Sequence, residues 1–349
     1  MDTSDRFQVQ FKGDAQTYFG IWIVNLMLSI VTFGIYSAWA KVRTKKYFAQ
    51  NTSIDGRRFD YHATGKQILI GRAIVVVALI LYSVLSAIPV VGLILALGFI
   101  GIGPYLINRS LKFNARMTSF SGLRFGFDGT FGHALKVFLL YPFLCIFTLY
   151  LAWPFVARAQ QRYYVKNHRY GTAQFDFESR VGPFYKALVF AVLWGVGITI
   201  AITVAFFGPA LASGQLFGAD SIWMTSKLMQ IVPVLIIIVA VLPAGFIYRA
   251  YIRNAVYAAA SVQGGHEFTS TVKPLALVGI AITNALAVMV SFGLMLPWTH
   301  VRMSRYLARN TYITVKGTLD TFVGVQEKQV GAFGDAFTDL EGIDVDFAL

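Results

Sequence analysis

Thr32-Phe33-Gly34-Ile35-Tyr36, then Trp39, Arg43, Tyr47 and Asn51, then Gly56 and the alternating Phe59-Asp60-Tyr61, decide how this chain is read. Upstream the run from Tyr18 is apolar apart from a few polar residues such as Asn25 and Ser29. From about Tyr18 to Ala40 it is long enough to cross a hydrocarbon core of roughly 30 Å. Thr32-Phe33-Gly34 reads as a helix break. Trp, Tyr and Arg beyond it suit the headgroup zone. Phe59 and Tyr61, flanking Asp60, carry the two-residue period of a short strand.

The same plan returns. Trp39, Arg43, Tyr47 and Asn51-Thr52 match Trp298, Arg302, Tyr306 and Asn310-Thr311 position for position. Counting back from each Trp aligns Gly34 with Gly293, Phe33 with Phe292, Thr32 with Ser291 and Asn25 with Asn284. Trp153, Arg158, Tyr163 and Asn167 form a looser copy. A spacing of four places each row on one slanted face of a helix. The row is expected to anchor the chain at the interface, with a site for an anionic headgroup or solute as the sharper alternative. Asn25 and Asn284 fall near mid-depth, where an amide needs a partner on a neighbouring helix or on a substrate.

Working outward, the chain has 349 residues, 56% hydrophobic and only 13% charged. A soluble domain is nearer a quarter charged, so the composition is that of a polytopic membrane protein. About seven hydrophobic segments are expected. Two helical hairpins cover about Ile68–Asn108 and Tyr185–Tyr248, and three related single segments cover about Tyr18–Ala40, Ala134–Ala157 and Leu275–Trp298. The predicted fold is an all-α membrane bundle with short cytoplasmic arms holding small β-strands. Residues 1–330 form a single membrane domain of repeats, about 1–133, 134–274 and a partial third at 275–325. The acidic stretch 331–349 is expected to be unordered.

The net charge of +13 sits beside the ends of apolar runs, which points to the bilayer and anionic headgroups as partners rather than to nucleic acid. The one cysteine, Cys145, excludes a disulfide framework. His62, His133, His168, His266 and His300 are scattered without metal-ligand spacing and are expected at surfaces or interfaces. No phosphate loop or nucleophile elbow is present, so neither catalytic residues, cofactor nor metal is expected. The N-terminus lacks the build of a cleaved signal.

Tyr18-Phe19, Ile21-Trp22, Asn25, Thr32-Phe33-Gly34-Ile35-Tyr36, Trp39-Ala40-Lys41-Val42-Arg43, Tyr47-Phe48, Asn51-Thr52, Asp55-Gly56 and Phe59-Asp60-Tyr61-His62 together resemble the signature of the YjgN-like family (domain of unknown function 898). The resemblance implies a bacterial multi-pass inner-membrane protein and transfers no activity. Two functions fit the residues: transport of a small solute past Asn25 and Asn284, or a non-transporting envelope protein that binds anionic lipid or protein partners through basic aromatic arms.

Two topologies remain. If all seven segments cross, the arms alternate sides and those with Arg158, Arg162, Arg249 and Arg253 face out, against the positive-inside tendency. If the single segments re-enter at Gly34 and Gly293, every arm shares one side. The short path from Gly34 to Arg43 favours crossing.

Overall fold

The computed structural model describes residues 4–212 and 230–338. The connector containing Asp220 lies outside them, as does the acidic stretch from residue 339 onward.

The arms are not isolated strands. Ten short strands pair antiparallel into one closed barrel, so the all-α expectation is corrected. Four hairpins follow one another: β2–β3 (Thr52–Ile54, Arg57–Tyr61), β4–β5 (Thr118–Phe120, Leu123–Phe127), β6–β7 (His168–Tyr170, Ala173–Phe177) and β8–β9 (Ala260–Val262, His266–Ser270). The fifth is made from the two ends of the domain, β10 (Thr311–Lys316) and β1 (Ser4–Phe11). Turn chemistry explains the hairpins. Asp55-Gly56 and Ser121-Gly122 both hold two successive positive φ values, 49° and 76°, then 50° and 87°, as a two-residue reversal between twisted strands requires.

Closure comes from shearing. In β1, Ser4–Gln8 pair with β10 whereas Val9–Phe11 pair with β2. In β3, Arg57 and Arg58 pair inside the hairpin and Phe59–Tyr61 pair with β4. Each five-residue strand is thus shared between its own hairpin and the next, which leaves no free edge.

Equivalent inward positions hold Val9, Phe59, Phe125 and Phe175, joined in the core by Ile54, Phe120 and Tyr170. Burial pushes the Tyr170 hydroxyl up to about 12, and it donates to the Phe120 carbonyl at 3.1 Å. Two residues further along the same face, Phe11, Phe127 and Phe177 leave the barrel and pack on helices.

In chain order the helices are α1 (Ala15–Val31), α2 (Ser37–Gln50), α3 (Gly65–Leu85), α4 (Pro89–Met117), α5 (Phe131–Ile146), α6 (Trp153–Lys166), α7 (Gly182–Ala212), α8 (Gln230–Ala259), α9 (Pro274–Val290), α10 (Leu296–Arg309) and α11 (Leu319–Thr338). Helices α1 to α10 pack in chain order, and α10 returns to α1. Strand ends hand over to helix starts through caps: Asp14 accepts from the Thr17 N–H, Thr64 from Gln67 in a full capping box, and Thr130 from His133.

Four of these helices are long and apolar enough to cross a membrane: α3, α4, α7 and α8. The expected seven spans are therefore corrected. The three single segments turn back instead, as α1–α2, α5–α6 and α9–α10. Helix α1 has 17 residues, about 25 Å at 1.5 Å each, short of a full crossing. Its first residue lies beside the far end of α2, where Asp14 meets the Tyr47 hydroxyl.

The reversal is possible in hydrocarbon because the turn satisfies its own backbone. At the end of α1 the Gly34 N–H donates to the Ser29 carbonyl at 2.7 Å and the Phe33 N–H to Ile30 at 3.1 Å, a Schellman closure. Thr32 Oγ1 donates to the Leu28 carbonyl and accepts from the Tyr36 N–H. Phe292-Gly293 with Ser291, and Leu149-Tyr150 with Thr148, repeat the device. The tips carry bare apolar side chains, Phe33 at 98% and Phe292 at 96% exposure, suited to lipid. With all five hairpins bonded into one barrel, every arm lies on one side of the membrane.

Helix α11 enters the barrel core. Leu319 and Val323 are buried there, with Phe322 against them. Gln326 Oε1 accepts from the Thr172 and Ala173 N–H groups at 3.1 and 3.0 Å.

Candidate lipid-facing collar

The repeated row does four different jobs. Tyr47 clasps its hairpin shut: its hydroxyl accepts from the Asp14 N–H at 2.8 Å and donates to the Asp14 carbonyl at 2.7 Å. Tyr306 makes the same pair with Lys273, at 3.1 and 3.3 Å. Asn51 and Asn310 end the row by donating to the Tyr47 and Tyr306 carbonyls, both at 2.8 Å. Their own carbonyls accept from the Lys12 and Thr271 N–H groups. The helix end is thereby tied to the neighbouring strand.

Arg43 and Arg302 reach back across their hairpins. Arg43 donates to Asn25 Oδ1 at 3.3 Å and to the Tyr36 hydroxyl at 3.2 Å. Arg302 donates to Asn284 Oδ1 at 2.9 Å and to the Thr283 hydroxyl at 2.7 Å. The structure thus brings the predicted Asn and Arg of each copy together, 18 residues apart in sequence. Asn25 and Asn284 are buried; the Asn284 amide donates to the Thr299 carbonyl at 3.4 Å, and Asn25 Nδ2 has no partner among the described residues. Trp298 lies under the Arg302 guanidinium at 5.0 Å, and both Trp39 and Trp298 remain 37% exposed. Trp39 also covers Gly65, where an added Cβ would sit 2.4 Å from its ring.

The looser copy departs where its sequence departs. Tyr163 keeps the carbonyl half of the clasp, its one hydroxyl proton shared between the Thr130 carbonyl at 3.3 Å and Asn108 Oδ1 at 3.1 Å, and Asn167 keeps the cap. Arg158, one position later than the pattern, turns to the Ser179 carbonyl instead.

Further cations join this level that the row did not announce. Arg72 donates to Ser37, Lys45 to Asn114, Arg305 to the Gly13 carbonyl and Arg253 to Thr311. Lys45 and Arg253 also lie over Tyr61 and Tyr257. Every one of these partners is neutral. Among the described residues the ion pairs are Arg57–Asp320, Lys166–Asp176 and Arg169–Asp128, all at the barrel. The collar between barrel and hydrocarbon therefore holds positive charge that no carboxylate among the described residues pairs with.

Four membrane-length helices, three self-satisfied re-entrant hairpins and this collar define a multi-pass membrane protein carrying a closed barrel on one face. The chain belongs to the bacterial family of proteins of unknown function DUF898, whose profile matches residues 6–340. It is 34% identical over 120 residues to the inner membrane protein YjgN of Escherichia coli O157:H7, covering 34% of this chain and 30% of that one. It is likewise 34% identical over 146 residues to the inner membrane protein YjgN of Salmonella typhimurium, covering 40% and 36%. The matched segment spans about a third of the length of these curated relatives. No solved structure matches. The chain is accordingly a bacterial inner-membrane protein.

Proposed function

We propose that this protein is a non-transporting membrane protein whose collar binds anionic lipid headgroups, with the barrel held over the cytoplasmic face. The carrying observation is the collar's unneutralised charge. Among the described residues Arg43, Lys45, Arg72, Arg302 and Arg305 contact only neutral acceptors, beside half-exposed Trp39 and Trp298. A lipid phosphate supplies the missing anion, at about 1 kcal/mol per basic residue near the surface. The cytoplasmic placement follows from the basic arms, all of which share the barrel's side. Transport past Asn25 and Asn284 would need amides open to a solute, whereas both are buried and engaged by arginine.

The experiment is lipid retention. The full chain, extracted gently, is expected to co-purify phosphatidylglycerol or cardiolipin above their share of the membrane. Arg43→Gln with Arg302→Gln is expected to lower that enrichment severalfold, and Arg43→Lys with Arg302→Lys to retain it. Equal lipid content in the glutamine variant and parent would refute the reading. So would solute uptake that depends on Asn25 and Asn284, scored with Asn25→Leu and Asn284→Leu at matched expression.

A further inference from the structure

At the mouth of the barrel far from the bilayer, between α11 and the β8–β9 turn, lies a cleft of about 520 Å³. That is within the size range of small-molecule sites. Its wall includes His266, Lys316, Thr318, Thr321, Gln263 and Gln329, with Phe322 and Val325 as an apolar side. Among the described residues no carboxylate lines it.

His266 is the built element. It is 4% exposed, and its Nδ1 accepts the Lys316 backbone N–H at 3.1 Å. Burial and the neighbouring Lys316 ammonium lower its pKa, so at neutral pH the ring carries one proton. With Nδ1 accepting, that proton is on Nε2. Among the described residues Nε2–H has no acceptor, and it faces Gly264, where an added Cβ would stand 2.8 Å from it. Gly264 at φ +102° therefore leaves the donor uncovered.

Lys316 supplies the charge. Its ammonium comes near Gly265 and forms no ion pair among the described residues. The N-terminal turn of α11, capped by Thr318, opens beside it with its positive dipole end. Asp320 in that turn is engaged by Arg57 on the barrel.

We propose that this cleft binds a small soluble organic phosphate, its phosphate held by Lys316 and the Nε2–H of His266 and its body resting on Phe322 and Val325. Bare phosphate is much smaller than the cleft, and the apolar wall has no use for it. Position sets the cleft apart from lipid headgroups: the hairpin turns stand roughly 12 Å beyond the helix junction, five residues at about 3.3 Å each on strands tilted as a closed barrel requires. The site shares no residue with the collar, so either can fail without the other.

The test is calorimetric titration of the full chain in phosphatidylcholine nanodiscs with AMP, inorganic phosphate and adenosine. AMP is expected to bind more tightly than inorganic phosphate, and adenosine not at all. Lys316→Gln is expected to weaken AMP binding tenfold or more, with the thermal midpoint unchanged because the side chain is exposed. Lys316→Arg is expected to retain binding. Anionic nanodiscs are expected to leave the AMP affinity unchanged, and competition there would assign the site to a headgroup and overturn the proposal. Absence of heat with both AMP and phosphate, equal binding of adenosine, or an unaffected Lys316→Gln variant would also overturn it.

Discussion

Tyr47→Phe removes one oxygen and tests the clasp that holds α1 against α2. The parent hydroxyl serves both backbone groups of Asp14, and Tyr47 is only 9% exposed. After the change the Asp14 carbonyl keeps a partner, since it also accepts from the Tyr18 N–H at 3.1 Å. The Asp14 N–H keeps none. Asp14 itself is exposed but the bond is part-buried beneath Tyr47, so leaving this donor unpaired costs about 1–2 kcal/mol. Tyr306→Phe makes the same deletion at a half-buried position where water can replace the hydroxyl, so about 0.5–1 kcal/mol is expected. Equilibrium unfolding in mixed micelles, followed by tryptophan fluorescence, measures both. The reasoning is refuted if Tyr47→Phe matches the parent, or if Tyr306→Phe is the more damaging of the two.

In a Cys145→Ala background, Val165→Cys and Ala260→Cys are expected to react with an impermeant maleimide only after the inner membrane is opened. Labelling of both from the periplasm would sink the re-entrant topology. Gly65→Ala drives a Cβ into the Trp39 ring and is expected to cost about 1–3 kcal/mol, with a shift in tryptophan emission. The docking of α11 is expected to weaken as pH falls. Burial lowers the folded-state pKa of His266, so the released state takes up the proton first. Stability is whole above about pH 6.5 and is lost below it. Proteolysis of α11 at pH 7.5 and 5.5 reads this, and His266→Gln should flatten the difference.

The Trp, Arg, Tyr and Asn register was readable because a repeat reports on itself: two copies agreeing at every fourth residue needed no tertiary knowledge. Its chemistry was half readable. Asn25 and Asn284 were expected to need partners, but Arg43 and Arg302 become those partners only once Gly34 and Gly293 reverse the chain. The third reversal, at Leu149 and Tyr150, has no glycine, and its positive φ values of 49° and 62° leave no compositional trace. Phe59, Phe125 and Phe175 announced strands, yet three- to five-residue strands do not reveal their pairing. Closure depends on Ser4 meeting Lys316, a contact that local patterning does not encode. His266 looked like a surface histidine because its burial comes from α11, whose docking rests on that same non-local barrel.

The shared staves have a consequence for biogenesis. β1 is made first and waits for β10, so the ring cannot close until residue 316 has left the ribosome. Until then four hairpins sit on the membrane surface with unpaired strand edges on β1 and β9, a template for joining other chains. Insertion of the last re-entrant hairpin, α9–α10, delivers β10 between them. Membrane insertion of that hairpin and sealing of the barrel are thus a single late event, and a truncated chain ends as an open sheet.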